Sequence, residues 1–157
     1  MTSNAVKTRQ ERNTRAQQAG AERAWAERMA SNLGRPTRIQ AGQIQAILGP
    51  INTALLAFRM GTAGTRPYHD LAAGLSVAYY AASRVARHRH LMPDIKAGLD
   101  ALTSVFERCH AEDDSELYLA TDEEMERLEL AAEIYGAILH SVSWAFLRRA
   151  IEDAMPR

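Results

Sequence analysis

Glu107-Arg-Cys-His110 has the carboxylate–imidazole spacing with which helical bundles hold metal ions. Three residues apart on a helix, the two side chains share a face. A dinuclear site also needs a second Glu-x-x-His and two further glutamates in the core. The chain has no second Glu-x-x-His. Glu107 also lies off the apolar stripe of Ile95, Leu99, Leu102 and Phe106, so it is expected to face solvent. No metal and no other cofactor is expected.

The remaining reactive groups are weaker still. Cys109 is the single cysteine, so no internal disulfide can form. It reads as a small buried hydrophobe in a reducing cytoplasm. Its neighbour His110 points about 100° away on a helix, so adjacency does not make a nucleophile pair. His88 and His90 are two apart, which a helix does not bring to one face. Gly61-Thr-Ala-Gly-Thr-Arg66 offers backbone N–H groups to a phosphate but lacks the Gly-Lys-Ser/Thr ending of a Walker loop. It reads as an interhelical loop ending at Pro67. His69-Asp70 is too generic to be a dyad. There is no Gly-x-Ser-x-Gly and no His-Glu-x-x-His. An enzyme is therefore not expected.

Charge is more telling than chemistry. The chain has 19 basic and 19 acidic residues and a net charge of zero, but the signs are separated. Residues 1–38 carry eight Arg/Lys and three Glu; residues 111–157 carry four Arg and twelve acids. A neutral total thus conceals a cationic and an anionic end, each able to meet a partner of opposite sign. The basic run Lys7, Arg9, Arg12 and Arg15, with the patch Arg84, Arg87 and Arg89, is the candidate contact for nucleic acid. No aromatic is interleaved there to stack on bases. Residues 112–133 hold ten acids and one arginine, Arg127. Glu112, Asp113, Asp114 and Glu116 lie in a connector. Asp122, Glu126, Glu129 and Glu133 recur at helical pitch along one face. Carboxylates in such a series can imitate a phosphate backbone.

The elements that must position these groups read as helices. Alanine supplies 28 residues, aromatics are scarce, and no segment alternates like a strand. The expected fold is all-α: a four- to five-helix bundle with a long C-terminal helix and a polar, partly disordered N-terminal segment. The expected division is 1–34 for that segment and 35–157 for the bundle domain. Residues 1 to about 14 are expected to be disordered; Trp25, Met29 and Leu33 could dock one turn, and Gly34 and Pro36 end the segment.

The second helix begins near an N-cap at Thr37 and is either kinked or broken at Pro50. Ile39, Ile44, Ile47, Leu48, Ile51, Leu55, Leu56 and Phe58 form its apolar side. The third spans about 68–90, with Leu71, Leu75, Ala78, Ala82 and Val85 inward. Gly74, Ala78, Ala82 and Ala86 form a small-residue ridge suited to close helix packing, including self-association into a homo-oligomer. A fourth spans about 94–110. Leu117-Tyr-Leu119 in the acidic connector reads as a short docking turn. Thr121 and Glu124 form a capping box that opens a final helix running unbroken to about Asp153. Its stripe is Leu128, Ala131, Tyr135, Ile138, Val142 and Phe146, widened by Leu130, Ile134, Ala137 and Trp144.

No apolar stretch reaches the ~20 residues that a membrane crossing needs, and no signal-peptide core is present. No membrane association is expected, and the expected location is cytoplasmic. Seventeen Arg against two Lys, with abundant Ala, suggests a bacterial or bacteriophage gene. The functional expectation is a non-catalytic interaction protein. It would be a small regulator or inhibitor that docks its acidic face on a basic, nucleic-acid-handling protein. The alternative is a DNA-binding regulator using the basic arm and the Arg84–His90 patch.

Overall fold

In the computed structural model, the described residues are Gly20, 38–111 and 116–155. All but Gly20 fall in one unit, Leu33–Arg157. The chain is all-α. Its described α-helices are α1 (Ala41–Arg59), α2 (Thr65–Arg84), α3 (Met92–Ala111), α4 (Asp122–Ser141) and α5 (Trp144–Ala154), with a 3₁₀ helix at Ala86–Leu91 between α2 and α3. Among the described residues the nearest thing to a strand is one isolated antiparallel bridge, Arg38 to Ser143. The expectations for residues 1–14, Trp25, Met29, Leu33 and Thr37 fall outside the described residues.

α1 passes through Pro50 without breaking. A proline ring clashes with the Cβ of the residue before it; here that residue is Gly49, which has none. Ala46, whose carbonyl loses its helical donor, is exposed, so water can serve it. The helix opens at Gln40, whose N–H donates to Gln43 Oε1 at 3.0 Å. It ends in a Schellman turn. Gly61 takes φ of 68°, Thr62 N–H reaches Ala57 O at 2.9 Å, and Gly61 N–H reaches Phe58 O at 3.1 Å.

α2 stops earlier than its periodicity suggests. Val85 turns extended (φ −115°, ψ 113°), and the chain tightens into the 3₁₀ helix. The α2 face is small where neighbours cross: Leu71, Gly74, Leu75, Ala78 and Ala82 are all buried. A Cβ on Gly74 would lie 2.4 Å from Ile51 Cδ1 of α1 and 3.6 Å from Tyr135 Cε1 of α4. Gly98 of α3 meets α4 as closely, with its Cβ position 2.7 Å from Ala131 Cβ. Glycine thus sets both crossing distances.

The expected single C-terminal helix is two. Val142 is extended (φ −114°, ψ 162°), and Ser143 caps α5 by accepting from Phe146 N–H. The break follows from local chemistry. Ser141 hydrogen-bonds back to Ile138 O, Val142 is β-branched, and Ser143 is a good N-cap. Both flanks stay apolar and buried, at Val142 and Trp144, so the periodicity runs across the break and hides it. Trp144 Nε1 donates to Gln43 Oε1 at 3.0 Å, tying the start of α5 to the first turn of α1. α5 then packs on α2 rather than back along α4.

Candidate protein-interaction surface

α4 begins with the expected capping box. Glu124 N–H donates to Thr121 Oγ1 at 3.2 Å, and Thr121 N–H donates to Glu124 Oε2 at 2.8 Å. Glu124 has a second role that the sequence did not reveal. It is buried, and Arg108 of α3 donates to both of its carboxylate oxygens, at 3.0 and 2.5 Å. Burial, the largest single influence, pushes this carboxyl up. The Arg108 hydrogen bonds and charge, with those of Thr121, overcome it and hold Glu124 below the ordinary carboxylate range.

The other acids of α4 divide by partner. Glu123 pairs with Arg127 one turn on, and Glu129 pairs across the helix seam with Arg59 of α1. Asp122, Glu126 and Glu133 are exposed and carry no ion pair among the described residues. Leu130 stands between Glu126 and Glu133 and is 46% exposed, contrary to the expectation that it widens the core stripe. Ala137 is exposed on the same side. This face is therefore acidic with an apolar centre. Glu116 is exposed; Glu112, Asp113 and Asp114 lie outside the described residues.

The basic patch has an internal occupation. Arg84 pairs with Asp153 of α5, Nε to Oδ2 at 2.5 Å. Arg87 donates to Ser141 O, the end of α4, at 2.9 Å, and Arg89 donates to Ser83 O at 3.4 Å. His88 Nε2 lies 3.2 Å from Ser141 Oγ. Since that hydroxyl donates its own proton to Ile138 O at 2.8 Å, it accepts from the imidazole. His88 Nδ1 is buried with no hydrogen-bond partner among the described residues. Burial first, then the charges of Arg87 and His90, push the imidazole below its ordinary pKa. Arg87 and His88 thus hold the carbonyl end of α4, where the helix dipole favours a cation, while Arg84 holds the far end of α5 and Arg89 the end of α2. Lys7, Arg9, Arg12 and Arg15 lie outside the described residues.

The small-residue ridge is not a free surface. Gly74, Ala78 and Ala82 are covered by this chain's own helices. Ala86 has left their line for the 3₁₀ helix and is exposed. The ridge serves intramolecular packing, which corrects its assignment to self-association.

Glu107 and His110 are both exposed, and among the described residues no group of three potential metal ligands forms. Cys109 is buried. The expected loop to Pro67 is shorter, because Thr65, Arg66 and Pro67 already form the first turn of α2; what remains, 61–64, is a helix stop and an anchor, since Ala63 O accepts from Tyr118 N–H at 2.8 Å. Tyr118 docks as expected, stacking on Tyr68 with ring centroids 4.6 Å apart. Phe106 stacks on His110 at 3.9 Å and is partly exposed rather than core.

Sequence reasoning missed an apolar patch beside the acidic face. Leu56 (54% exposed) and Met60 (66%) stand one turn apart on α1, and Leu119 (54%) covers Gly61. The helical pattern places Leu56 on the apolar side, and Leu119 belongs to the expected docking turn. The signal for Leu56 was its phase, since Ile51, Ala54 and Phe58 already complete the buried side of that helix.

No family model matches the chain, and no curated protein or solved structure matches it.

Proposed function

We propose that this chain is a non-catalytic interaction protein that docks the outward face of α4 on a basic protein. The observation that carries the reading is the division of the α4 carboxylates. Glu123, Glu124 and Glu129 are neutralised within the chain, while Asp122, Glu126 and Glu133 stand exposed along one face and carry no ion pair among the described residues. Like charges at helical pitch cost a few tenths of a kcal/mol per pair in an isolated helix. A cationic surface turns that cost into attraction and speeds encounter. In its narrower form the protein is a small bacterial or phage-encoded regulator or inhibitor. Its carboxylate series stands in for phosphates on a nucleic-acid-handling partner.

The test is a titration of the full chain with poly-L-lysine and, in parallel, with duplex DNA across a salt series. Poly-L-lysine should bind, with affinity falling as salt screens the charges. Asp122→Lys/Glu126→Lys/Glu133→Lys should abolish this binding, and a control reversing the exposed Glu107 and Glu152 should retain it. Equal losses in both variants, or steeply salt-dependent DNA binding by the wild type, would overturn the reading.

A further inference from the structure

At the end of the bundle where Arg59 of α1 pairs with Glu129 of α4, exposed apolar side chains occur together with α4 carboxylates that carry no ion pair among the described residues. Leu56 and Met60 project one turn apart from the last turns of α1. Leu119 continues them, with its Cδ2 3.7 Å from the Cβ position of Gly61. Two bonds hold Leu119 in place. Its own carbonyl accepts from Arg108 at 2.9 Å, and the preceding Tyr118 N–H is fixed to Ala63 O. Asp122 follows three residues later, and Glu126 and Glu133 extend the line along α4. The Arg59–Glu129 pair joins the two helices across the seam.

Resting on the acidic-face reading, we infer that this surface seats one amphipathic, basic helix of a partner protein, with Leu56, Met60 and Leu119 receiving its apolar face and Asp122, Glu126 and Glu133 its cations. Exposed apolar side chains grouped this way mark interaction surfaces more than solvated ones. The choice of a helix rests on spacing. Asp122, Glu126 and Glu133 stand four and seven residues apart, so Asp122 to Glu133 spans about 17 Å at 1.5 Å per residue. Lys or Arg at matching helical intervals would meet them in register, with an apolar stripe beside them. A nucleic acid is disfavoured, because its phosphates would face the exposed carboxylates of Asp122, Glu126 and Glu133.

The experiment uses the full chain and two fluorescent Leu/Lys peptides of equal composition, each about 18 residues or five turns. One segregates leucine on a single helix face and the other scatters it. The chain should bind the segregated peptide at least about tenfold more tightly than the scattered one. Leu56→Asn/Met60→Asn should erase that preference, as loss of central apolar anchors does, while leaving the thermal melt in place because both side chains are exposed. Glu126→Lys/Glu133→Lys should weaken both peptides. If both peptides bind alike, or the Asn variant keeps the preference, the helix seat is overturned although the acidic-face reading stands. If the Lys variant also binds unchanged, both fall. A wild-type dimer in light scattering that Met60→Asn makes monomeric would identify a second copy as the occupant and overturn the inference.

Discussion

Arg108 holds both carboxylate oxygens of Glu124, and its Nη2 also reaches Leu119 O. One guanidinium thus joins the last turn of α3, the first turn of α4 and the connector between them. Arg108→Ala would leave a buried carboxylate without its cation and a carbonyl without its donor. The expected destabilisation is about 1–3 kcal/mol, the range for removing a charged hydrogen-bond partner from a partly buried site. Because the Glu124 pKa is lowered in the folded state, its contribution is full above about pH 4.5 and fades as pH falls through the folded value. Urea titrations between pH 7 and 3 should show a shallower acid loss for Glu124→Gln than for wild type. Parallel curves would remove Glu124 from the acid response.

His88 sets a second pH window. Its folded pKa is lowered, so the unfolded chain binds the proton more tightly. Stability is full above about pH 6.5 and declines as pH falls below it. The groups facing it are Arg87 and His90 of the 3₁₀ helix and Ser141 of α4. None of the facing groups offers an unpaired anion. In thermal melts from pH 7.5 to 5, His88→Gln should respond less to pH than wild type. An unchanged slope would show that this site tolerates the charged imidazole.

Gly74 is expected to be irreplaceable by size alone. Gly74→Ala puts a methyl 2.4 Å from Ile51 Cδ1 and should cost about 1–3 kcal/mol. Ile51→Val removes that atom, so the double variant should recover part of the loss. Chemical denaturation of both singles and the double gives the coupling; simple additivity would place the strain elsewhere.

Tyr135 should respond in the opposite direction. Its hydroxyl is fully buried with no hydrogen-bond partner among the described residues, and burial pushes its pKa up. Tyr135→Phe removes an unsatisfied polar atom and keeps the ring, so stability should hold or rise by up to about 1 kcal/mol. A clear fall in the denaturation midpoint would mean that the hydroxyl is satisfied in solution.

Periodicity made the helices legible because most of them bury one stripe, and Thr121 and Glu124 announced the start of α4 outright. Two features stayed hidden. Ser141-Val-Ser143 contained the break before α5, but Val142 and Trp144 remain in phase with the stripe, so the apolar pattern outweighed the capping signal. The fate of charges was the other. Sequence separates Glu124 from Arg108 by 16 residues, Glu129 from Arg59 by 70 and Arg84 from Asp153 by 69. Which carboxylates stay free depends on helix adjacency that periodicity does not encode. The ridge of α2 was read correctly as a close-packing surface; only the identity of its neighbour came from the fold.

The bond between Trp144 and Gln43 joins residues 101 apart, and α5 settles on α2 rather than on its sequence neighbour. During synthesis, α1 to α3 therefore leave the ribosome with part of α2 uncovered and Arg84 still lacking Asp153. α1 packs on α2 and α4 without α5; what α5 adds is the bond from Trp144 to the first turn of α1 and the cover over α2, so the region from Trp144 to Asp153 is the part that closes the bundle.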